Sequence, residues 1–368
     1  MQEIIDKCKT SGKLWEDPEF VADRKSIGKP FPVSWLRPKE YLPEGTKPVL
    51  FDQPQPDDIV QGKLGDCWLL SSLSVLAEQP RRIIALFRDH IPNDFGVVCV
   101  TFFLDGVIKK VLIDDRIPCD PTSKKPLFSC NKGGEQWVQF VEKAYAKAYG
   151  SYARIESGVP GDALADLTGA PFESLKSQDM GVVGLWKELV AKSKSGCLIA
   201  AGVPKFSDRD LETDVGLVEG HAYAVLRIHD HKGEEHLIQI RNPWGKVEWK
   251  SAWSDSDSRW TPELKQELGL KVSDDGTFWM CVTDFVKFFD CITVLLVSDS
   301  WTWSSCSFEA TTQATLLSFE VTEQTEAFLT LHQKRGKDIV SVRHCVVRQD
   351  SKSPIGGTLE TFVQAETL

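Results

Sequence analysis

Apolar residues first recur at helical spacing directly after a loop rich in glycine and aspartate, in QGKLGDCWLLSSL at residues 61–73. Leucines recur from this point at helical spacing, with Leu73 four residues after Leu69 and three after Leu70, and Leu76 three residues further on. This spacing predicts the buried face of a helix. Asp66 is a residue type preferred at an N-cap, and Pro80 comes where such a helix should end. The pattern therefore predicts that Cys67 lies in the first turn of a helix.

Two more helices and one hairpin are predicted in the first half of the chain. Residues 135–149 carry an apolar stripe at helical spacing, formed by Trp137, Phe140, Val141, Ala144, Tyr145 and Ala148. A further helix is predicted around residues 161–170. The strand-like runs 97–104 and 107–113 are joined by Asp105-Gly106, a pair typical of a tight hairpin turn. This half is thus mainly helical, with a small β element.

From about residue 197 the pattern changes to runs typical of strands. Four such runs are separated by Gly, Asp and Pro turns: CLIAAGV, HAYAVLRI, HLIQIRN and TFWMCV. We expect an antiparallel sheet, because these runs follow one another without crossover helices of sufficient length. The predicted fold class is therefore α+β, with a helical lobe followed by an antiparallel β lobe.

The two ends of the chain differ from this core. Residues 1–45 contain five prolines and few periodic runs, so we expect a loop-like, extended segment that wraps the core. Beyond Ser298, three runs predict the start of a β-sandwich: ATLLSFEV, AFLTLH and IVSVRHCVVR. The predicted domains are residues 1–45, 46–155, 156–297 and 298–368. Because the last domain looks incomplete, we expect regulatory domains or subunits beyond residue 368.

Composition and charge narrow the class of protein. The 368 residues are 42% hydrophobic and 26% charged, as in ordinary globular proteins. The net charge of −10 argues against nucleic acid or an anionic membrane as the main partner, since both select clustered Lys and Arg. The sequence shows no signal peptide at its start and no apolar run of about 18 residues that could span a membrane. The ten cysteines form no CxxC pair or zinc-like cluster, so we expect free thiols in a cytoplasmic protein.

One cysteine stands in a setting typical of a nucleophile. Such a thiol needs a lowered pKa, a base, and donors for the oxyanion formed on attack. A helix N-terminus would favour an anion at Cys67. His221 opens one strand and Asn242 ends the next, so a hairpin would bring them side by side, with the amide orienting the imidazole. Gln61 offers a side-chain amide beside the Cys67 N–H as an oxyanion hole.

The order of these residues strengthens the interpretation. His221 follows Cys67 by 154 residues, in agreement with papain-like sites, where His and Asn follow the Cys by roughly 130 to 150 residues or a little more. Taken singly, each residue has a structural alternative, since a Cys in an apolar helix is commonly buried and inert, and an Asn before Pro commonly forms a turn. The joint occurrence of Gln-x5-Cys-Trp, Gly-His-Ala-Tyr and Arg-Asn-Pro-Trp-Gly favours a cysteine-protease site.

Three motifs resemble the catalytic-core signatures of calpains, the calcium-regulated intracellular cysteine proteases: QGKLGDCWLL, EGHAYAVL and IRNPWG. The resemblance covers about residues 13–297 through LWEDPEFVADRKSIG, IDDRIPCD, WVQFVEKAYAKAYGSY, DLTGA and DGTFWMCVTDFVKFFD. VLAEQP and YAKAYGSY are similar to the small-optic-lobes branch. The resemblance implies a papain-like core of two lobes, with Cys67 on one and His221 and Asn242 on the other.

The same resemblance implies an activity and further residue roles. The activity is limited proteolysis of cytosolic proteins through a Cys67 thioester. Gln61 would lend the oxyanion hole, and Trp244 would shield the catalytic pair from water. Calcium would drive the closure of the lobes that lets thiolate and imidazole meet.

Calcium ligands are implied in both lobes. In the first lobe they are Asp58, three residues before the oxyanion Gln, and Glu135, two residues before a Trp. Gln53 stands where the family often has Gly. In the second lobe the matching acids are Glu248, Asp255 and Asp275. Thr277 replaces the next acid of the family, which should weaken the second site.

Two other functions are compatible with parts of this pattern. A calpain-like regulatory or scaffold protein would keep the fold without cleaving, but such cores lack Cys, His or Asn, and all three are present here. A transglutaminase-like acyltransferase also uses Cys and His, but its third residue is typically Asp, and Asn242 disfavours it.

Overall fold

The computed structural model describes residues 1–298 except 132, 206–210, 232 and 234, and four positions beyond, 301, 304, 328 and 330. The helices are α1 Gln2–Ser11, α2 Arg24–Ile27, α3 Pro38–Tyr41, α4 Cys67–Ala77, α5 Pro80–Leu86, α6 Trp137–Tyr149, α7 Pro160–Thr168, α8 Ser177–Lys194, α9 Leu211–Asp214, α10 Pro262–Leu268 and α11 Val282–Phe288, with 3-10 turns at Pro56–Asp58 and Tyr152–Ile155. The strands are β1 Ser34–Leu36, β2 Ile59–Val60, β3 Val97–Leu104, β4 Val107–Asp114, β5 Ile117–Cys119, β6 Cys130–Asn131, β7 Phe172–Lys176, β8 Leu198–Val203, β9 His221–His231, β10 Glu235–Arg241, β11 Thr277–Cys281 and β12 Cys291–Leu295.

Six of these strands form one sheet in the second half of the chain, in the order β11-β10-β9-β8-β12-β7. Every neighbouring pair in it is antiparallel, which confirms the prediction. The predicted hairpin of the first half is β3 with β4. Its turn residues Asp105 and Gly106 have φ of 53° and 72°, as a type I′ turn requires. The α+β fold class is thus confirmed.

Helix α4 is the centre of the helical lobe and is buried on every side from Trp68 to Ala77. Its serines return their hydroxyls to helix carbonyls: Ser72 Oγ donates to Trp68 O at 2.7 Å and Ser74 Oγ to Leu70 O at 2.9 Å. Polar side chains are therefore satisfied inside an apolar environment. The helix packs against α7 and against β8 and β9 of the sheet.

The sheet serves both lobes because its residues alternate between two faces. In β8, Leu198 and Ala200 join the core of the helical lobe, together with Ala224 of β9. Ile199 and Ala201 point to the other face and pack in a second core with α8 and α11. The small alanines allow a close approach of α4 to the sheet. One helix-on-sheet contact therefore positions both the start of α4 and the start of β9.

The N-terminal segment corrects one prediction. Residues 2–11 form a helix rather than a loop, because the prolines begin only at Pro18, and Ile5 and Cys8 share one buried helical face. The rest does lie against the core: Phe20 and Ile27 are buried in the helical lobe. A second helix that the sequence analysis missed, α5, begins at Pro80, where proline fits the first turn.

The predicted domain boundaries remain predictions. Helix α7, which follows the expected boundary after residue 155, adds Ala163, Leu164 and Leu167 to the core of the helical lobe. Both lobes lie within one compact unit, Met1–Phe328. The β-sandwich predicted for 298–368 lies outside the described residues, apart from the isolated positions named above. Among the described helices, none has the length and apolar character needed to cross a membrane.

Candidate active site

The structure brings His221 and Asn242 together at the ends of β9 and β10. His221 Nε2 lies 2.9 Å from Asn242 Oδ1, and both side chains are buried, with exposed fractions of 6% and 0%. Asn242 Nδ2 donates to the carbonyls of Lys246 at 3.0 Å and Val247 at 3.1 Å, so its oxygen must face the imidazole. Nε2 is therefore the protonated nitrogen, and Nδ1 keeps a lone pair.

A strained turn holds the Asn242 amide in this orientation. Val247 has φ of 64°, a region that β-branched residues rarely adopt, and Asp274 Oδ1 accepts its N–H at 3.1 Å. The backbone N–H of Asn242 donates to Gly276 O at 2.8 Å. The loop around residues 273–276 thus fixes both the main chain and the side chain of Asn242.

Cys67 lies at the first position of α4, half-buried, with its thiol beside the backbone N–H of Ala222, next to His221. Burial raises the pKa of this thiol above its ordinary value, although the N–H of Ala222 opposes the rise. This differs from the sequence-based expectation of a lowered pKa, because the sheet of the other lobe covers the helix start. Burial also lowers the pKa of His221 to about 4, although the hydrogen bond that His221 donates to Asn242 opposes this decrease. Both groups are therefore neutral near pH 7 in this arrangement.

Aromatic rings enclose the imidazole of His221. Trp244 lies with its ring centroid 5.0 Å away at an angle of 54°, and its backbone N–H donates to Asn242 Oδ1 at 3.0 Å. Tyr223 packs edge-on at 5.0 Å, and its hydroxyl accepts the N–H of Val218 at 2.7 Å. These rings restrict the motion of the imidazole and limit the access of water to it. Tyr223 is not among the predicted site residues, although it stands two residues after His221 on the same side of the strand.

Gln61 lies on the loop between β2 and α4 and contacts both lobes. Its side-chain Nε2 donates to Leu64 O at 2.7 Å, which fixes the amide and leaves its second N–H. Its backbone N–H donates to Pro243 O at 2.9 Å, so the loop is bonded to the residue that follows Asn242. Gln61 is thus tied to the histidine–asparagine side of the cleft.

Asp66 occupies the N-cap position of α4, but its side chain does not cap the helix. The carboxyl is fully buried and lies against the carboxyl of Glu142 on α6. Burial raises the pKa of Asp66 to about 7 and that of Glu142 well above its ordinary value, so burial favours the protonated form of both carboxyls. Only the backbone carbonyl of Asp66 acts at the helix start, accepting from Leu69 and Leu70.

The first acidic cluster consists of Asp58 and Glu135 in the helical lobe, as predicted. Asp58 Oδ2 accepts the N–H of Gln55 at 2.7 Å, and Glu135 Oε1 accepts that of Asp52. The two carboxyls face each other, and Glu135 Oε2 is buried without a hydrogen bond from the described residues. Burial, followed by the charge of Glu135, raises the pKa of Asp58 to about 6. An unused buried oxygen and a facing carboxyl are suited to a hard cation.

The second acidic cluster consists of Glu248, Asp255 and Asp275 in the β lobe. Glu248 Oε1 accepts the N–H groups of Asp275 and Gly276, each at 2.8 Å. Asp275 accepts from Thr277 N at 2.9 Å and Ser273 Oγ at 2.7 Å. Burial raises the pKa of Glu248 to about 7 and that of Asp255 to about 6. Asp255 Oδ1 and Thr277 Oγ1 are buried without hydrogen-bond partners in the described part of the chain.

Neither cluster is complete as a metal site made of side chains alone. In the residues that the structure describes, no three His, Cys, Asp or Glu side chains are grouped so as to hold a metal ion. A calcium ion takes six to eight oxygens, so either cluster would also need carbonyl or water oxygens. The donor chemistry of the first cluster fits calcium, and that of the second fits it in part.

Comparison with known proteins agrees with this α+β fold, which is that of a cysteine protease core. The profile described as "Calpain family cysteine protease" matches residues 15–295. The chain is 39% identical over 275 residues to calpain-type cysteine protease DEK1 of Arabidopsis thaliana, covering 72% of this chain and 13% of that protein. It is 35% identical over 306 residues to calpain clp-1 of Caenorhabditis elegans (78% and 38% covered) and 36% identical over 304 residues to human calpain-8 (77% and 42% covered).

The chain belongs to the calpain family of cysteine proteases. It spans 13–42% of the length of the three relatives named above, and most of their sequence is left unmatched.

Proposed function

We propose that the chain is the protease core of a calcium-regulated intracellular endopeptidase that makes limited cuts in cytosolic proteins. The observation that carries this proposal is the 2.9 Å contact between His221 and Asn242, with the Cys67 thiol beside Ala222 at the same end of the sheet. The roles of these residues and of Gln61 follow from their positions and from the chemistry of thiol proteases.

Nucleophilic attack begins with a proton transfer. His221 Nδ1, unprotonated because Nε2 holds the proton shared with Asn242, accepts the proton of the Cys67 thiol. The thiolate attacks the peptide carbonyl carbon, and the π electrons move to the carbonyl oxygen. Burial disfavours a charged thiolate and imidazolium, so the Cys67 thiol and the His221 imidazole are neutral before substrate binds. The proton transfer must therefore accompany substrate binding.

The oxyanion and the leaving group are served by opposite sides of the cleft. The backbone N–H of Cys67 and the remaining amide N–H of Gln61 are the donors for the oxyanion. When the tetrahedral intermediate collapses, the C–N bond breaks and His221 protonates the departing amine, leaving a Cys67 thioester. Water, deprotonated by His221, then attacks the thioester carbon; the C–S bond breaks, the carboxylic product leaves, and the imidazolium returns its proton to the Cys67 sulfur. Trp244 and Tyr223 keep other water away from the imidazole.

Calcium regulation is part of the proposal. Asp58 and Glu135 would hold a calcium ion in the helical lobe, and Glu248, Asp255 and Asp275 a weaker one in the β lobe. A bound calcium ion would neutralise facing carboxylates whose repulsion otherwise acts within each cluster. Asp58 lies three residues before Gln61, so the first cluster supports the oxyanion loop directly.

The test is cleavage of an unstructured protein such as fluorescent casein, with and without calcium. We expect Cys67→Ser to lower kcat/KM by at least about 10⁴-fold, because the nucleophile is lost. Cys291→Ser, at an exposed cysteine, is the matched control and should keep full activity. Activity that survives Cys67→Ser contradicts the proposed mechanism. A wild-type protein that never cleaves would favour the scaffold alternative instead.

A further inference from the structure

The residue directly before Asn242 is an arginine whose side chain crosses between the lobes. We infer that Arg241 is a positioning residue that holds the Gln61 loop in register with the His221–Asn242 pair. This inference rests on the proposed function, because register matters only if the oxyanion donors and the histidine act on the same carbonyl.

The guanidinium of Arg241 bonds two elements of the helical lobe. Nη2 donates to Ile59 O at 2.8 Å, and Nη1 lies 3.5 Å from Ser74 Oγ on α4. The side chain is 0% exposed, although it begins on β10 of the opposite lobe. The planar guanidinium of Arg241 therefore contacts both the strand that leads to Gln61 and the helix that begins with Cys67.

A second hydrogen bond joins the same two segments. We call residues 241–243 together with residues 59–61 the clasp. Arg241 binds the carbonyl of Ile59, and two residues further along each strand the N–H of Gln61 donates to Pro243 O at 2.9 Å. Asn242 lies between the two bonded residues on one side. The clasp thus fixes Gln61 and Asn242 relative to each other.

Charge explains why an arginine can remain buried at this position. Its Nε lies 3.9 Å from Asp57 Oδ1, and Asp57 Oδ2 lies at the same distance from Lys271 Nζ. Burial lowers the pKa of Arg241 to about 10, while the charges of Asp57, Asp275 and Asp58 oppose this. Apolar side chains of similar volume are commonly as stable as buried ions. Stability alone therefore gives little reason for a buried cation here, whereas the docking of two lobes at a fixed distance does.

The experiment compares two variants. Arg241→Met keeps a similar side-chain volume, and Arg241→Lys keeps the positive charge but loses the planar guanidinium with its paired N–H donors. Casein cleavage is measured per titrated active site, together with the thermal midpoint. We expect Arg241→Met to lower kcat on the order of 10²-fold with KM within about twofold, since a misplacement near 1 Å has about this effect. Arg241→Lys should recover part of the loss. A lower thermal midpoint with unchanged kcat per titrated site would overturn the inference.

A gentler pair of variants keeps the test decisive if Arg241→Met does not fold. Asp57 is 38% exposed, so Asp57→Asn should fold, and it removes the nearest counter-charge of Arg241. We expect a decrease in kcat of about threefold to tenfold, as the loss of part of one charge interaction predicts. Lys271→Gln removes the other partner of Asp57, whose ammonium is 76% exposed, and should leave kcat unchanged. Equal kcat in both variants would contradict the inference.

A readout without proteolysis separates this inference from the proposed function. The rate at which iodoacetamide alkylates Cys67 is followed against pH by mass spectrometry of the peptide that contains it. Loosening the clasp should rehydrate the thiol and shift the midpoint of this profile downward in Arg241→Met or Arg241→Lys, and less in Asp57→Asn. If the wild-type protein cleaves nothing, this shift still supports the clasp. An unchanged midpoint in every folded variant overturns it.

Discussion

The two acidic clusters, of two and three carboxyls, use their oxygens differently. In the first cluster, one oxygen of each carboxyl accepts a backbone N–H, and the facing carboxyls leave Glu135 Oε2 unused and buried. In the second cluster, Glu248 Oε1 alone accepts two N–H groups, and Asp275 accepts from Thr277 and Ser273. Main-chain donors thus offset the burial of both clusters, two in the first and four in the second, while Glu135 Oε2 and Asp255 Oδ1 each have no hydrogen-bond partner among the described residues.

The difference indicates that the two clusters have different roles. The second cluster organises the loop whose Gly276 carbonyl and Asp274 carboxylate hold Asn242 and Val247, so it supports the histidine pair through hydrogen bonds. The carboxyls of the first cluster accept two N–H groups in the described residues, and a bound cation would offset the burial that raises the pKa of Asp58. We therefore expect the first cluster to be the principal calcium sensor.

The largest expected effect comes from removing the first cluster. Asp58→Asn with Glu135→Gln keeps size and removes both charges, so calcium affinity measured by isothermal titration calorimetry should fall at least about tenfold, as ligand charge sets affinity. Asp94→Asn, at an exposed acid, is the matched control. If the double variant binds calcium as tightly as the control, the comparison between the clusters is wrong.

A smaller effect on calcium affinity is expected when a carboxylate is introduced into the second cluster at position 277. Thr277 lies two residues after Asp275, and its hydroxyl is buried without a described partner. Thr277→Glu should raise the affinity of the second site by on the order of tenfold, seen as a new tight transition in the same calorimetric titration. Thr277→Gln, equal in length but uncharged, should leave the titration unchanged. A gain with Gln as large as that with Glu would show that charge is not what the site lacks.

Local patterns predicted the elements that carry the candidate site. The three-to-four spacing of leucines placed Cys67 at the first turn of α4, and alternating runs gave the β9–β10 hairpin that joins His221 to Asn242. These signals are contained within one element or one hairpin, where periodicity and turn residues decide the structure.

Local sequence patterns could not predict contacts between distant segments. Asp66 is a good N-cap by type, but Glu142 on α6 lies against it, so its side chain serves a buried acid pair instead. The pKa of Cys67 depends on the sheet of the other lobe, and Arg241 gains meaning only when Ile59 lies beside it. Each outcome needs a tertiary neighbour between about 75 and 180 residues away, which no local pattern records.

The smallest expected effect is a pH dependence of calcium-free stability that separates the clusters. The pKa of Asp58 is about 6 in the folded protein against an ordinary value of 3.8, so the folded state binds more protons between these values. Its contribution to stability is therefore gained as pH falls through 6 and lost as pH rises through 6. We expect the thermal midpoint to rise more steeply in wild type than in Asp58→Asn from pH 7 to 5, by about 1–2 °C.

The difference between the two proteins isolates Asp58, because other groups act in both. Glu248 and Asp255 shift in the same direction, whereas His221, with its pKa lowered to about 4, gains stability as pH rises. Calcium should reverse the sign of the difference, since the ion needs an ionised Asp58. The thermal midpoints of Asp58→Asn and wild type could instead change in parallel with pH, both with and without calcium. In that case the carboxyls of the first cluster neither repel each other measurably nor bind the ion, and the proposed difference between the clusters is wrong.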